Sequence, residues 1–243
     1  MTHAVERDRF GADGSEFDFW RDHAQISLQP VAAPSVLGLF ALAGATFIVA
    51  AHLAGWYGNP STPEYLFPFA ALFGGLAQLL AAMWAFRARD TLATAIHGTW
   101  GSFWLAYGVL YLLVAVGTLT TPASSSGLGY WFIALAAITW VAAIAALAEN
   151  VGLALVLVAL AGGATCSAVG LLINVSAWRT TGAWFFVVAA VLAWYVASAM
   201  LLESTFRRVV LPIGKIGRAN RPGRVIRHAI QYMEGEPGVK VGQ

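Results

Sequence analysis

Few side chains in this sequence could do chemistry inside its long apolar runs. His52 and His97 lie within these runs or near their ends, and His97 precedes Trp100 by three residues. Residues three apart share a helix face, so the imidazole and the indole are predicted neighbours. An ionisable group in such a run is a candidate for proton transfer or ligand contact. The alternative is a neutral, hydrogen-bonded packing residue, because a neutral imidazole is cheaper to bury than a charge.

The other reactive residues exclude several classes of function. The lysines are Lys215 and Lys240, both close to the C-terminus, so no lysine is available for a retinal Schiff base inside an apolar run. Two histidines without nearby acidic or thiolate partners do not predict a metal site. No clustered nucleophile and base and no phosphate-binding motif is present. We therefore expect no enzyme activity, no metal and no cofactor.

Composition predicts an all-α membrane protein. Hydrophobic residues make up 59% of the chain and charged residues 11%, whereas a soluble domain carries about 25% charge. The apolar residues form runs of the roughly 20 residues that a helix needs to cross a bilayer. We predict six transmembrane helices, near residues 37–56, 66–86, 94–116, 128–148, 151–175 and 182–202.

The placement of arginine predicts the orientation. Arg87 and Arg89 lie between the second and third runs, more arginines flank the six runs at both ends of the chain, and the opposite loops contain Arg179 alone. Positive residues concentrate on the cytoplasmic side, so both termini are expected there. Arg87 and Arg89 would then attract anions to a cytoplasmic mouth. The expected location is a multi-pass position in the bacterial inner (cell) membrane.

Three regions are predicted along the chain. Residues 1–30 read as a cytoplasmic and mostly disordered segment, with a short surface helix near Phe17–Trp20. Residues 31–214 form the six-helix transmembrane domain. Residues 215–243 form a basic cytoplasmic tail, for which contact with anionic lipid is the simplest role. No folded basic module for nucleic acid is visible.

Short polar stretches predict how the helices connect. Asp90 reads as the N-cap of the third helix. Glu149 and Asn150 form a two-residue corner, which makes the fourth and fifth helices antiparallel neighbours. The stretch 178–182 reads as the gap before the sixth helix. Glycines at 74–75 and 162–163 are expected to let helices approach closely.

Several strings in fixed order resemble one family, the acetate uptake (succinate–acetate permease) transporters. The first helix carries Ala33-Pro34-Ser35-Val36-Leu37-Gly38-Leu39, and the second carries Gly74, Gly75 and Gln78. The third carries Trp100-Gly101-Ser102-Phe103-Trp104. The sixth carries Ala193-Trp194-Tyr195 and leads into Arg208-Val209-Val210-Leu211-Pro212-Ile213-Gly214. The similarity covers residues 30–214.

The resemblance implies six-helix protomers in a homo-hexamer, each with its own pore for acetate and, in some members, succinate. It implies a constriction at Leu42, Trp100 and Leu160, where relatives usually have phenylalanine, tyrosine and leucine. Gln78, His97, Phe103 and Tyr195 become candidates for lining the pore or contacting substrate. Tryptophan in place of tyrosine leaves a group that donates hydrogen bonds and does not accept them.

An apolar constriction would act as a desolvation barrier that a protonated acid crosses more cheaply than a carboxylate. The apolar runs lack a central Asp or Glu, which favours passive or substrate-carried proton movement, with His97 as the remaining option for coupling. The divergent constriction leaves a second possibility open. The chain would then be a non-conducting membrane scaffold or sensor of the same fold.

Overall fold

The six predicted helices are present in the structure, a computed structural model that describes residues 31–120 and 126–215. They are α1 (Pro34–Leu53), α2 (Thr62–Ala88), α3 (Thr91–Ala115), α4 (Ser126–Ala146), α5 (Val151–Leu172) and α6 (Ser176–Phe206). Each is long and apolar enough to cross a membrane. The predicted all-α class is confirmed, and the protein is an integral, multi-pass membrane protein. The predictions for residues 1–30 and 216–243 lie outside the described residues.

The gap predicted at 178–182 is wrong. Residues 176–206 form one continuous helix of 31 residues, which includes Trp178, Arg179 and Gly182. The polar side chains there suggested a loop, yet none of them breaks a helix, because the run contains no proline. The chain turns earlier, at Asn174, whose positive φ of 54° is tolerated by asparagine. Arg179 therefore lies on the first turn of α6.

Helix α2 changes its winding in the middle. Residues Thr62–Phe69 and Gln78–Ala88 are α-helical, and Ala70–Ala77 between them form a π-helix. Pro68 lies just before the change; it has no N–H to donate and its ring crowds the preceding turn. Single π-helical turns inside α-helices often occur at functional sites. The π-helical segment carries Gly74 and Gly75 to the contact with α1 and α3.

The helix ends follow capping rules. The carboxylate of Asp90 accepts a hydrogen bond from the N–H of Ala93 at 2.9 Å, which confirms the predicted N-cap of α3. The side chain of Asn150 accepts from the N–H of Leu153 at 2.8 Å and caps α5. The chain therefore reverses direction at residues 149–150, and α4 and α5 pack against each other as predicted.

Glycines set the closest helix contacts, as predicted. A Cβ atom built on Gly163 of α5 would lie 2.6 Å from the ring of Phe186 on α6. A Cβ atom on Gly75 would lie 2.8 Å from the side chain of Leu105 on α3. Two helix sets result: α4, α5 and α6 pack in chain order, and α1 packs against α2, α3 and α6. Helix α1 thus joins the two sets, which also meet where α3 contacts α4.

The segment after α6 folds back onto the start of α5. The carbonyl oxygen of Ile213 accepts a hydrogen bond from the N–H of Gly152 at 2.8 Å, and that of Gly214 accepts from Val151 at 3.3 Å. The hydroxyl of Tyr195 donates to the carbonyl oxygen of Pro212 at 2.9 Å. These bonds satisfy N–H groups that have no partner inside α5. The Leu-Pro-Ile-Gly string is therefore a brace between α5 and α6.

Candidate functional site

The three residues predicted to form a constriction are all deeply buried. Leu42 on α1, Trp100 on α3 and Leu160 on α5 are each at most 1% exposed, and all belong to one continuous apolar cluster. Phe186 of α6 packs edge-on against the ring of Trp100, with ring centroids 6.0 Å apart. All three side chains therefore lie in the buried apolar interior of the bundle.

Trp100 is held in place by a polar contact as well as by packing. Its Nε1–H donates a hydrogen bond to the hydroxyl oxygen of Thr139 on α4 at 3.1 Å. The Thr139 hydroxyl in turn donates to the carbonyl oxygen of Leu135 at 2.6 Å. The indole N–H, expected from the sequence to be a donor in the pore wall, is thus already used in this state.

A cavity of about 670 Å³ reaches Trp100 from one end of the bundle. We call this cavity the vestibule. It is lined by the C-terminal parts of α1, α3 and α5 and the N-terminal parts of α2, α4 and α6, and its deepest lining residues include Trp100, Phe103 and Phe186. The vestibule therefore opens at the end of the bundle opposite to that at which α1 begins and α6 ends.

Aromatic rings form much of the vestibule wall. Phe103, a predicted pore-lining residue, lies in the middle of a chain of ring contacts on α3, with centroids 5.4 Å from Trp100 and 5.0 Å from Trp104. Tyr107 and Tyr111 continue this chain toward the mouth, with centroids 4.6 Å apart. The lining is mostly apolar, so it offers few polar groups that could replace the hydration of an occupant.

Two polar groups in the vestibule wall have no hydrogen-bond partner within residues 31–120 and 126–215. The hydroxyl oxygen of Thr46 on α1 and the indole nitrogen of Trp104 on α3 are buried and form no hydrogen bond. Both residues line the vestibule. Nearer the mouth the lining includes His52 and Arg179, together with the hydroxyl residues Ser167, Ser176 and Thr180.

Sequence reasoning did not single out Thr46 or Arg179 as site residues. The signal for Thr46 was its spacing, since it lies four residues after Leu42 and so one turn along the same helix face. Trp104 bears the same relation to Trp100. Arg179 was missed because the stretch around it read as a loop rather than as the first turn of α6.

His97 and Gln78 lie away from the vestibule, in the contact between α1, α2 and α3. The His97 ring fills the space above Gly38, where a Cβ atom would lie 2.5 Å from two of its ring atoms. The Nδ1 atom of His97 and both side-chain heteroatoms of Gln78 are buried without a hydrogen-bond partner. The sequence predicted that both histidines are hydrogen-bonded. For His97 this prediction is wrong at the Nδ1 atom, which has no partner among the described residues. For His52 it is confirmed, because its Nδ1 atom lies 3.0 Å from the carbonyl oxygen of Tyr57.

The remaining candidates lie near the other end of the bundle. Arg87 is exposed in the last turn of α2, and Arg89 ends that helix with a positive φ of 57°. Arg89 lines an open groove between α3 and α4 together with Asp90 and Glu149. Burial, and then the negative charge of Asp90, raise the pKa of the Glu149 carboxyl group. Tyr195 does not line the vestibule, and its pore-lining role stays a prediction.

One solved structure and one bacterial protein are similar to this chain over most of its length. The fold matches the structure described as "Structure of the bacterial acetate channel SatP" with a TM-score of 0.70 and 24% identity, over 76% of this chain and 100% of that one. That likeness shows a shared fold. The succinate-acetate/proton symporter SatP of Escherichia coli K12 is 24% identical over 185 residues, which cover 76% of this chain and 96% of the symporter.

Fungal relatives match over shorter stretches. The meiotically up-regulated gene 86 protein of Schizosaccharomyces pombe is 31% identical over 42% of this chain and 33% of its own length. Acetate permease A of Emericella nidulans is 30% identical over 36% of this chain and 29% of its own length. The chain thus spans about a third of these fungal proteins. The model of the GPR1/FUN34/yaaH family matches residues 18–216, which confirms the resemblance seen in the motifs, and the chain belongs to that family.

Proposed function

We propose that the chain forms a pathway for acetate or related short-chain mono- and dicarboxylates across the membrane, with its narrowest point at Leu42, Trp100 and Leu160. The observation that carries this proposal is the vestibule, which runs from one end of the bundle to Trp100 and stops there. Names of two relatives include acetate, and one of them also includes succinate. A vestibule that ends at buried apolar side chains is the geometry of a closed pore.

The constriction would select by the cost of desolvation. A carboxylate that enters an apolar segment loses water, which costs far more than for the neutral acid unless donors replace the lost hydration. Leu42 and Leu160 offer no such donors, and the Trp100 N–H is bonded to Thr139. Passage of the neutral acid, or of the anion after a rotation of Trp100, then carries the flux.

Proton movement would accompany the acid rather than follow a carboxylate relay. Within the six described helices the acidic residues are Glu64 and Glu203, one near each end of the bundle. Glu203 is paired with Lys215 at 2.8 Å. His97 remains the alternative for coupling, and acetate-driven proton uptake by the His97→Ala variant tests it. Uptake that depends on the histidine would contradict passive, substrate-carried movement.

Orientation and assembly complete the proposal. With both termini cytoplasmic, the vestibule faces away from the cytoplasm, and Arg87 and Arg89 lie at the cytoplasmic end, where they attract anions. The homo-hexamer implied by the resemblance would use part of the apolar outer surface of the bundle. Native mass spectrometry of the protein in detergent measures the subunit number directly.

The test of function is counter-flow in proteoliposomes. Vesicles loaded with unlabelled acetate, propionate or succinate are diluted into the matching labelled acid, with protein-free vesicles as the control for permeation through lipid. Transient accumulation of label above that control is expected for at least one acid. Absence of protein-dependent flux for all three acids would favour a non-conducting scaffold or sensor. Such a protein would also bury Leu42, Trp100 and Leu160 as observed.

A further inference from the structure

We infer that the vestibule is a binding site for one carboxylate of a short-chain acid, with Arg179 at its mouth supplying charge and Thr46 and Trp104 supplying hydrogen bonds deeper inside. This deepens the proposed function, because the vestibule is the outer part of the proposed pathway. The class of ligand follows from three features: the charge of the lining, its unused polar groups and its size.

The charge of the lining favours an anion. Arg179 is a cationic residue, and the lining contains no acidic residue within the part of the chain that the structure describes. A guanidinium group has a planar arrangement of donors that matches a carboxylate, which is why arginine is so common in carboxylate recognition. The low-dielectric aromatic wall strengthens the attraction between this charge and an anion in the vestibule.

The position of Arg179 is fixed by close packing of α6 on α5. A Cβ atom on Gly170 would lie 2.7 Å from the Cγ atom of Arg179, so glycine is what allows the arginine stem to rest against α5. One turn further along the interface, a Cβ atom on Gly182 would lie 2.7 Å from the hydroxyl oxygen of Ser167, which also lines the vestibule. The charge is therefore carried on a rigid part of the bundle.

The polar groups of Thr46 and Trp104 point to a ligand that accepts hydrogen bonds. Both residues are at most 3% exposed, and their hydroxyl and indole N–H groups have no hydrogen-bond partner among the residues that the structure describes. Buried polar groups are nearly always hydrogen-bonded. Two such groups without a partner in one cavity wall therefore point to a ligand that binds there. The indole group can only donate, and a carboxylate or carboxyl oxygen is an acceptor that suits both groups.

The size and apolar lining limit the rest of the ligand. A volume of about 670 Å³ exceeds what acetate or propionate needs, so the acid enters with several water molecules. The rings of Phe103, Tyr107 and Phe132 offer contact to a short alkyl group. The site therefore favours acids with one carboxylate and a small apolar part.

The test is binding of acetate and propionate to the full chain in detergent, measured by saturation-transfer NMR on the methyl protons of each acid. This method suits weak, fast-exchanging ligands and does not depend on flux. The variants are Arg179→Gln, Thr46→Val and Trp104→Phe. Each has a matched control that changes the same residue type outside the vestibule lining, namely Arg208→Gln, Thr99→Val and Trp140→Phe. Thermal unfolding of every variant checks that it is folded.

Saturable binding is expected in the wild type and in the three controls. Loss of a charge-assisted hydrogen bond should weaken binding about tenfold in Arg179→Gln, and Arg179→Lys should recover part of it. Thr46→Val and Trp104→Phe should each weaken binding roughly three- to tenfold. If the wild type shows no saturable binding, or the three variants bind like their controls, the site assignment is wrong.

The counter-flow assay separates this failure from failure of the proposed function. If the wild type conducts an acid and the three variants bind it like their controls, the proposed pathway is supported and the assigned binding site is wrong. Binding that follows the predicted pattern without flux for any acid would keep the site and identify the chain as a sensor of carboxylates.

Discussion

The indole N–H of Trp100 donates a hydrogen bond to the hydroxyl of Thr139 across the interface of α3 and α4. This bond ties the central side chain of the proposed constriction to a helix outside the three that supply Leu42, Trp100 and Leu160. Both groups are buried, so breaking this bond without a replacement partner would cost the desolvation penalty of the indole N–H. The hydrogen bond therefore helps to hold Trp100 in the rotamer that the structure shows.

The Thr139→Val variant should destabilise the protein, because it removes the acceptor of the Trp100 hydrogen bond. The substitution keeps the shape of the side chain and leaves a buried indole N–H unpaired, which costs about 1–3 kcal/mol. The matched control is Thr165→Val, because Thr165 accepts a hydrogen bond from Trp140 at 3.2 Å in an exposed setting. The unfolding temperature in detergent should fall further for Thr139→Val than for Thr165→Val. Equal falls in the two variants would contradict a special role of the buried pair.

Gly38→Ala should be destabilising because of one neighbour, the ring of His97. The added Cβ atom would lie 2.5 Å from ring atoms of that buried residue, and overpacking of a core typically costs about 1–3 kcal/mol. In the double variant with His97→Ala the clash is absent, so the two changes should not be additive. Chemical unfolding of the wild type, both single variants and the double variant measures this coupling. Additive losses would show that the ring does not determine the need for glycine.

Tyr195→Phe separates bracing from pore lining. The change removes the hydroxyl that donates to Pro212, a loss of about 0.5–1.5 kcal/mol, and keeps the ring. We expect slightly lower thermal stability and unchanged acetate flux, since Tyr195 does not line the vestibule. A change in the selectivity of flux among acids, with unchanged thermal stability, would instead support the prediction that Tyr195 lines the pore.

Glu149 should make stability depend on pH at the corner between α4 and α5. Its pKa is raised in the folded state, so the folded protein holds the proton more tightly, and stability is lost as the pH rises through that pKa. Glu149→Gln should therefore be more stable than the wild type at pH 7, and the difference should shrink as the pH falls below the carboxyl pKa. Unfolding temperatures between pH 4 and pH 8 test this, and a constant difference would contradict it.

Much of the fold was predictable, because a bilayer demands long apolar helices and short polar connections. Asp90 and the corner at 149–150 behaved as their residue types predicted. The π-helical segment of α2 did not follow from its apolar sequence, since Pro68 can also end or kink a helix. The start of α6 was misplaced for a related reason: Arg179, Thr180 and Thr181 are polar, yet they are compatible with a helix.

The candidate site was less predictable than the fold. Leu42, Trp100 and Leu160 came from a family resemblance, and spacing alone could not bring three distant helices together. The partner of the Trp100 N–H, Thr139, lies 39 residues away, a contact that no local pattern reveals. Phe186, which lines the vestibule, packs against Gly163 on a different helix, and no local pattern reveals that contact either.

The most direct test of the proposed pathway is acetate flux through the Trp100→Ala variant in proteoliposomes, compared with the wild type and with Trp140→Ala as a control outside the vestibule. Removing the large buried side chain should open the closed centre, so the account predicts acetate flux at least several-fold above the wild type, with Trp140→Ala unchanged. Flux through Trp100→Ala that equals that of the wild type, in a protein shown to be folded, would contradict a constriction at Trp100.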